Sequence, residues 1–299
     1  MRFITPLRYP GGKAKLFPFF KELLVQNDLI GCRYVEPYAG GAGLALHLLL
    51  NHFVSNIHLN DISKPVYALW QSILNSTEEL CKKINDTPVD MEQWAVQKNK
   101  LSSPPDATLL DLGFAALFLN RTNRSGILSG GVIGGKKQSG TWRMDARFNK
   151  KALIQRIKTI ANLKDNIHVT NSDALYFLDS FASTLQCSRT IIFLDPPYFT
   201  QGKRLYQNFY QIEDHSQIAI YVQNKITSPW VVTYDNAPEI LSLYSNRNLI
   251  QYKLSYCASK KYQGAEVMFL ADSLILPQKA PYIPGKYSPR KLETASLPI

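Results

Sequence analysis

Hydrophobic positions in this chain fall into short apolar runs that alternate with stretches of helical period. Residues 32 to 38 (CRYVEPY) read as a buried strand leading into a glycine-rich turn, 44 to 54 (LALHLLLNHFV) as a helix, and 56 to 60 (NIHLN) as a second strand. This βαβ alternation predicts a parallel sheet covered by helices. The pattern then lapses. Residues 63 to 120 are helix-like throughout, ending in a long helix over 108 to 120, and 121 to 147 form a Gly- and Arg-rich stretch too long for an ordinary connection, with glycines at 126, 130, 131, 134, 135 and 140.

Alternation resumes with helix-like 149 to 162, strand IHVTN, helix-like 173 to 181 and strand TIIFLD at 190 to 195. Helix-like 213 to 224, strand WVVTY at 230 to 234, and strand candidates near 249 to 256 and 266 to 271 follow. The expected architecture is α/β: a doubly wound, Rossmann-like sheet built from residues 1–62 and 148–276, interrupted by a mainly helical insertion over 63–147. Residues 277–299 contain five prolines and are expected to form a basic surface tail.

Composition narrows the function classes. Of 299 residues, 45% are hydrophobic and 11% aromatic, enough to bury a sizeable core, which excludes a largely disordered chain. No apolar run approaches the roughly 18 residues of a membrane span, and MRFITPLRYPGGK lacks the features of a secretory signal, so a cytoplasmic, membrane-free protein is expected. Cys32, Cys81, Cys187 and Cys257 are scattered without metal spacing, and no metal is expected. Lys and Arg number 34 against 23 Asp and Glu, and the net charge of +11 favours a polyanionic partner.

Three segments carry candidate chemistry. Asp195-Pro196-Pro197-Tyr198 sits just past the carboxyl end of an apolar strand, where open α/β sheets bind ligands. The prolines fix the backbone, a carboxylate and a neighbouring carbonyl can together accept both hydrogens of an exocyclic NH2 group, and Tyr198 can stack on a planar base. A plain strand-ending turn would also use Asp and Pro. Glu36-Pro37-Tyr38-Ala39-Gly40-Gly41-Ala42-Gly43 lies between the first strand and first helix, where glycines let backbone approach a ligand at the positive end of a helix, or serve packing alone. Asp61 closes the second strand 20 residues after Gly41, a position from which an acid can accept hydrogen bonds from ribose hydroxyls. Leu46 stands where the dinucleotide fingerprint needs its third glycine, so an adenosine-type cofactor without a pyrophosphate fits better.

The third segment, Asn120-Arg121-Thr122-Asn123-Arg124-Ser125-Gly126, is followed by Lys136, Lys137 and Arg143, and Arg and Asn are the side chains that read bases bidentately. Nucleic-acid contact is expected from Arg121, Asn123, Arg124, Lys136, Lys137 and Arg143, against the alternative of a solvated charged loop. Gly130 to Lys136 also satisfies G-x-x-x-x-G-K, but Lys137 replaces the Ser or Thr of a P-loop and no strand leads into it.

Arg8-Tyr9-Pro10-Gly11-Gly12-Lys13, EPYAGGAG, Asn60-Asp61, NRTNRSG, Asn171-Ser172-Asp173 and DPPY occur in the order seen in Dam-like DNA adenine-N6 methyltransferases, and the chain resembles that family over roughly residues 4 to 272. The resemblance implies S-adenosyl-L-methionine as cofactor. Tyr9 and Lys13 would hold its methionine portion, Asp61 its ribose and Asp173 its adenine amino group, with Glu36, Gly40 and Gly41 also at the cofactor and Asp195 between cofactor and target. The insertion would be the target-recognition region. Two departures stand out: Ala42 takes the place of a family glycine, with Gly43 one step later, and Tyr9 stands where the family often has Trp.

The implied reaction is site-specific methylation of adenine N6 in double-stranded DNA, with the base flipped out of the duplex, by a protein expected to be monomeric off DNA. The competing enzyme readings are methylation of RNA, of cytosine N4 or of a protein amide, since the same motif chemistry serves any planar NH2 group. A DNA-binding regulator with a vestigial site is the reading from another class, and the joint presence of DPPY, Asp61 and Lys13 argues against it.

Overall fold

The computed structural model describes residues 4–9, 12–102, 107–185, 189–200, 210–257, 261–277 and 289–291. Among the described residues, eight strands form one sheet in the order β3-β2-β1-β4-β5-β7-β6-β8. The first five, β1 (Cys32–Glu36), β2 (Val54–Asn60), β3 (Ile167–Thr170), β4 (Thr190–Leu194) and β5 (Trp230–Asp235), pair parallel, while β7 (Lys261–Leu270) runs antiparallel between β5 and β6 (Asn248–Cys257). Pro289–Lys291, within the expected tail, adds β8 antiparallel to β6. β4 and β5 are buried at every position, as strands covered on both faces must be.

This order sets the site. The chain leaves β1 towards β2 on one side, and β4 lies on the other, so the carboxyl ends of β1 and β4 flank a crevice at the point where the winding reverses. Glu36 ends β1, Asn60 ends β2, Leu194 ends β4 and Asp235 ends β5, all at the same edge of the sheet.

The helix over 44 to 54 is shorter than its apolar pattern suggests. α2 spans Gly43–Leu50, because Asn51 and His52 turn the chain, His52 with φ +59°, and β2 begins at Val54. The stretch read as helical from 63 to 120 divides into α3 (Lys64–Asn75), α4 (Thr77–Asp86), α5 (Met91–Ser102) and α6 (Leu109–Thr122). An amphipathic helix at Phe17–Gln26, α1, was not evident from the sequence pattern, and it buries Phe19, Phe20, Leu23 and Leu24. α7 (Lys150–Ala161) packs on α3 and α4, and α8 (Ala174–Leu185) and α9 (Ile212–Asn224) follow, with the short α10 (Pro238–Leu243) before β6.

The helices of 63–147 have no core of their own. Trp70, Ile73, Leu80, Ile84, Trp94, Phe114 and Phe118 belong to the same continuous hydrophobic cluster as Tyr34, Ile192 and Phe193 of the sheet. Among the described residues, no helix is long and apolar enough to cross a membrane.

Candidate active site

Strand pairing builds the first half of the site. β4 and β5 align Leu194 with Val232, so the next pair is Asp195 and Thr233, and the Thr233 hydroxyl donates to Asp195 Oδ1 at 2.7 Å. The other carboxylate oxygen, Oδ2, accepts from Lys13 Nζ at 2.8 Å. Lys13 begins a 3-10 turn, Lys13–Leu16, that packs on α2, and its side chain is only 4% exposed. The ammonium also lies 5.0 Å from the centre of the Tyr198 ring.

The backbone beyond the DPPY segment is fixed from β5. Asp235 accepts from the Phe199 N–H at 3.0 Å and the Thr200 N–H at 2.8 Å, so a non-regular segment is held by side-chain acceptors in place of a ladder. Tyr198 is half-buried, and its electrostatic neighbours are Asp195, Glu266 and Tyr252; burial pushes its phenol well above the ordinary tyrosine range. Glu266 is itself buried and accepts from the Tyr252 hydroxyl at 2.6 Å. Burial raises its carboxyl above the usual range, opposed by the nearby Lys13 charge.

The second half is the turn after β1. Gly40 has φ +46° and the Tyr9 ring lies directly over it: a Cβ at Gly40 would fall 2.7 Å from the ring. The Gly40 carbonyl accepts from Trp70 Nε1 at 3.0 Å, and its N–H donates to Asp61 Oδ2 at 2.8 Å. Asp61 Oδ1 accepts from the Ser63 N–H, also at 2.8 Å. Burial raises the Asp61 carboxyl to about 6, against the two N–H donors that favour its charged form. Asn60 ties three strand ends together: its amide donates to the carbonyls of Pro37 and Ser172, and its Oδ1 accepts from Thr170 Oγ1 and from Ser172.

Glu36 is buried, and among the described residues its Oε2 has no hydrogen-bond partner. Its carboxyl is raised well above the usual range by burial first and by the charge of Asp195 second. Asp173 is exposed and caps α8, accepting at Oδ1 from the N–H groups of Leu175 and Tyr176. Pro196 is buried and Pro197 half-buried beside Asp195. Gly41, also buried, lies against the side chains of Thr5 and Leu7. Tyr9, Lys13, Glu36, Gly40, Gly41, Asp61 and Asp195 therefore converge on one crevice, at the carboxyl ends of β1, β2 and β4. Pro10 and Gly11 lie outside the described residues.

The basic stretch divides into two environments. Arg124, Lys136, Lys137 and Arg143 are exposed, as an outward-facing role requires. Asn123 is not: it is fully buried, its Oδ1 accepts from Trp94 Nε1 at 2.7 Å, and its amide donates to the carbonyls of Ile127 and Leu128. Every hydrogen of that amide is used inside the fold, so Asn123 shapes the loop and leaves no donor for a base. Arg121 is also buried, 7% exposed, at the last turn of α6.

Some site residues gave no signal in the sequence. Thr233 and Asp235 lie in an apolar strand distant from the DPPY segment and act only through strand pairing. Trp70 sits mid-helix among core residues. Trp142 is 68% exposed beside Arg143, in a loop stapled by Gln138, which donates to the Ile133 and Gly135 carbonyls and accepts from the Met144 N–H. Nothing in the sequence distinguishes this Trp from a core residue. Among the described residues, no group of three or more His, Cys, Asp or Glu is placed to hold a metal.

No curated protein sequence matches the chain. Solved structures similar to it include two of the rRNA methyltransferase aviRa from Streptomyces viridochromogenes. One is 12% identical, covers 89% of this chain and 88% of that one, and has a TM-score of 0.38. The other is 10% identical, covers 82% and 77%, and has a TM-score of 0.32. The model of the D12 class N6 adenine-specific DNA methyltransferases matches residues 9–256, from Tyr9 over Gly40 to the far side of the sheet. With that match across most of its length, the chain belongs to the D12 class N6 adenine-specific DNA methyltransferase family.

Proposed function

We propose that this member of a DNA adenine methyltransferase family takes its methyl group from S-adenosyl-L-methionine and places it on the N6 of an adenine flipped out of double-stranded DNA at a specific site. The observation that carries this reading is Asp195, held at Oδ1 by Thr233 and at Oδ2 by Lys13, at the mouth of a crevice floored by Gly40 and Asp61.

The residues of the crevice fit the cofactor. Asp61 spends one lone pair of each oxygen on backbone N–H groups and keeps the others for ribose hydroxyls. Glu36 Oε2 is an enclosed acceptor without a donor, and an α-ammonium group is the kind of partner it lacks. Lys13 suits the α-carboxylate, Gly40 and Gly41 admit close approach of the ligand to the backbone, Tyr9 covers the turn, and Asp173 at the start of α8 is assigned to the adenine amino group. When bound, the cofactor supplies an electrophilic methyl on a sulfonium.

The chain's own residues prepare the acceptor. Flipping a base costs a few kcal/mol, and stacking on Tyr198 returns roughly 1–3 kcal/mol. Asp195 and the Pro196 carbonyl accept the two N6 hydrogens and draw the nitrogen away from conjugation with the ring. The methyl–sulfur bond would break as the N–C bond forms, its electron pair leaving on sulfur as a neutral thioether, while the same acceptors stabilise the positive charge developing on N6. Thr233 and Lys13 hold the carboxylate in one orientation, so little reorganisation is needed at the moment of transfer. The surplus proton of the methylated amino group then leaves by way of Asp195 to water.

The exposed Arg124, Lys136, Lys137 and Arg143 are assigned to the DNA backbone and grooves, and residues 63–147 to target recognition. Incubation of the protein with duplex DNA and methyl-labelled S-adenosyl-L-methionine tests the reading: label enters DNA with the wild type and not with Asp195→Asn. Full transfer by that variant would remove the DPPY segment from the chemistry.

A further inference from the structure

The last residues of β7 are apolar: Val267, Met268, Phe269 and Leu270 are all fully buried. Glu266 heads that run at only 1% exposure, and a carboxyl taken out of water is tolerated where polar groups meet it. One of its oxygens is met. Oε2 accepts from the Tyr252 hydroxyl at 2.6 Å, across the β6–β7 pairing that sets Tyr252 opposite Glu266. Oε1 is enclosed, and among the described residues no donor reaches it in hydrogen-bond geometry. The Tyr198 hydroxyl is in the same condition, enclosed and unpartnered. Glu266 and Tyr198 nevertheless lie close enough to act on each other, so an acceptor without a donor stands beside a donor without an acceptor.

Strand pairing explains why this acid meets the DPPY segment. β5 and β7 align Asp235 with Glu266. Asp235 accepts from the N–H groups of Phe199 and Thr200, the two residues after Tyr198. Two acids on neighbouring strands therefore face one segment at two places, Asp235 at its backbone and Glu266 at the tip of its aromatic ring. Lys13 flanks the same ring, with Nζ 5.0 Å from its centre. Tyr198 as a whole is half-buried, so with the hydroxyl enclosed its open surface lies elsewhere on the residue.

Resting on the base-flipping reading above, we infer that Glu266 is a positioning residue for methyl transfer: from β7 it holds the Tyr198 hydroxyl, so that the ring stands in one orientation to receive the flipped adenine. A stacking surface already fixed loses no freedom when the base arrives. Tyr198 and the Asp195 acceptor belong to the same four-residue segment, so an ordered ring also aligns N6 with its acceptors, and the effect falls on the transfer step.

The test compares wild type, Glu266→Ala, Glu266→Gln, Tyr198→Phe and the double variant Tyr198→Phe with Glu266→Ala. Three quantities are read: melting temperature, S-adenosyl-L-methionine affinity by calorimetry, and the single-turnover rate of methyl transfer to unmethylated genomic DNA, which offers targets of any sequence. Tyr198→Phe keeps the ring and removes the held hydroxyl, so its transfer rate falls about tenfold while cofactor affinity stays within about twofold of wild type. Glu266→Ala falls by a similar factor, and in the Tyr198→Phe background it costs nothing further, because both changes remove one contact. Glu266→Gln still accepts from Tyr252 and offers an N–H to the Tyr198 oxygen, so it recovers most of the loss. A wild-type transfer rate in Tyr198→Phe overturns the inference, whether or not Glu266→Ala folds. So do losses that multiply in the double variant, which mark two independent effects. A Glu266→Ala protein that melts lower or binds cofactor more weakly with its transfer rate intact also overturns it, marking a residue that serves the core or Lys13. No transfer by wild type to any DNA would instead sink the function reading itself, and this inference with it.

Discussion

Asp195 is connected to both of its neighbours through its two oxygens, and that decides how it should be tested. Truncation to Ala would remove the carboxylate that pairs with the Lys13 ammonium, which is only 4% exposed, and removing one side of a buried pair costs about 3–5 kcal/mol. Asp195→Asn keeps the volume and an acceptor for Thr233, so lost activity reports on chemistry more than on folding. We expect its turnover to fall about 100-fold or more, with DNA and cofactor affinities within a few-fold of wild type. Asp61 makes a second prediction. Its carboxyl titrates near 6 in the folded protein, so its ability to accept from ribose hydroxyls as a carboxylate is present above pH 6 and fades below it. Cofactor affinity should weaken about tenfold as pH falls from 7.5 to 5, and Asp61→Asn should bind weakly without that pH dependence, both readable by titration calorimetry. The stability sign is opposite: a raised acid pKa favours the folded state at low pH, and the advantage is lost as pH rises through about 6. At this scale DPPY, Asp61 and Lys13 were legible because each is a polar residue at the edge of an apolar run. Thr233 was not, since 38 residues separate it from Asp195 and only strand pairing joins them.

The turn between β1 and α2 shows how an element can depart from its family pattern and still form. Ala42 stands where a glycine is usual, and it takes the left-handed conformation that glycine would adopt freely, φ +45° and ψ 37°. An L-residue there carries roughly 1–2 kcal/mol of local strain. Ala42→Gly should therefore stabilise the protein by about 0.5–1 kcal/mol in denaturant melts, after the entropy gained by the unfolded chain is set against the relief. Gly40→Ala should do the reverse, because its Cβ would meet the Tyr9 ring, and cofactor binding should be lost with the displaced ring. Strands β1 to β7 were legible as apolar runs, but the antiparallel pairing of β6 and β7 was not, and β8 lies where a surface tail was expected. Helix limits were less so: residues 63 to 120 keep a helical period across three breaks, and the pattern alone does not say where Ser76 or residues 87–90 turn the chain. α1 was not legible because it is short, begins with Pro18 in its first turn, and sets its four core residues among Lys21, Glu22 and Gln26.

For the whole molecule, the surplus of positive charge has two destinations. Arg124, Lys136, Lys137 and Arg143 project from a loop outside the core, whereas Arg8, Arg121, Arg147 and Arg156 converge at the junction between that loop and the sheet. Lys136→Ala with Lys137→Ala should weaken duplex binding and reduce the salt slope by about two without altering the methylated product, a result that fluorescence anisotropy across a salt series can read. A run of helices between β2 and β3 was legible as a lapse in the βαβ rhythm, but its packing was not: Trp70 and Phe118 belong to the same hydrophobic cluster as the sheet. The helices of 63–147 and the sheet thus share one continuous core, and the Asn120 clamp on Arg8 ties the end of α6 to the N-terminal segment. The most direct test of the central claim is to incubate wild-type protein with duplex DNA and S-adenosyl-L-methionine, digest the DNA to nucleosides and identify the modified one by mass spectrometry. The account predicts N6-methyldeoxyadenosine, absent with Asp195→Asn; N4-methyldeoxycytidine, or no modified nucleoside from the wild type, would contradict it.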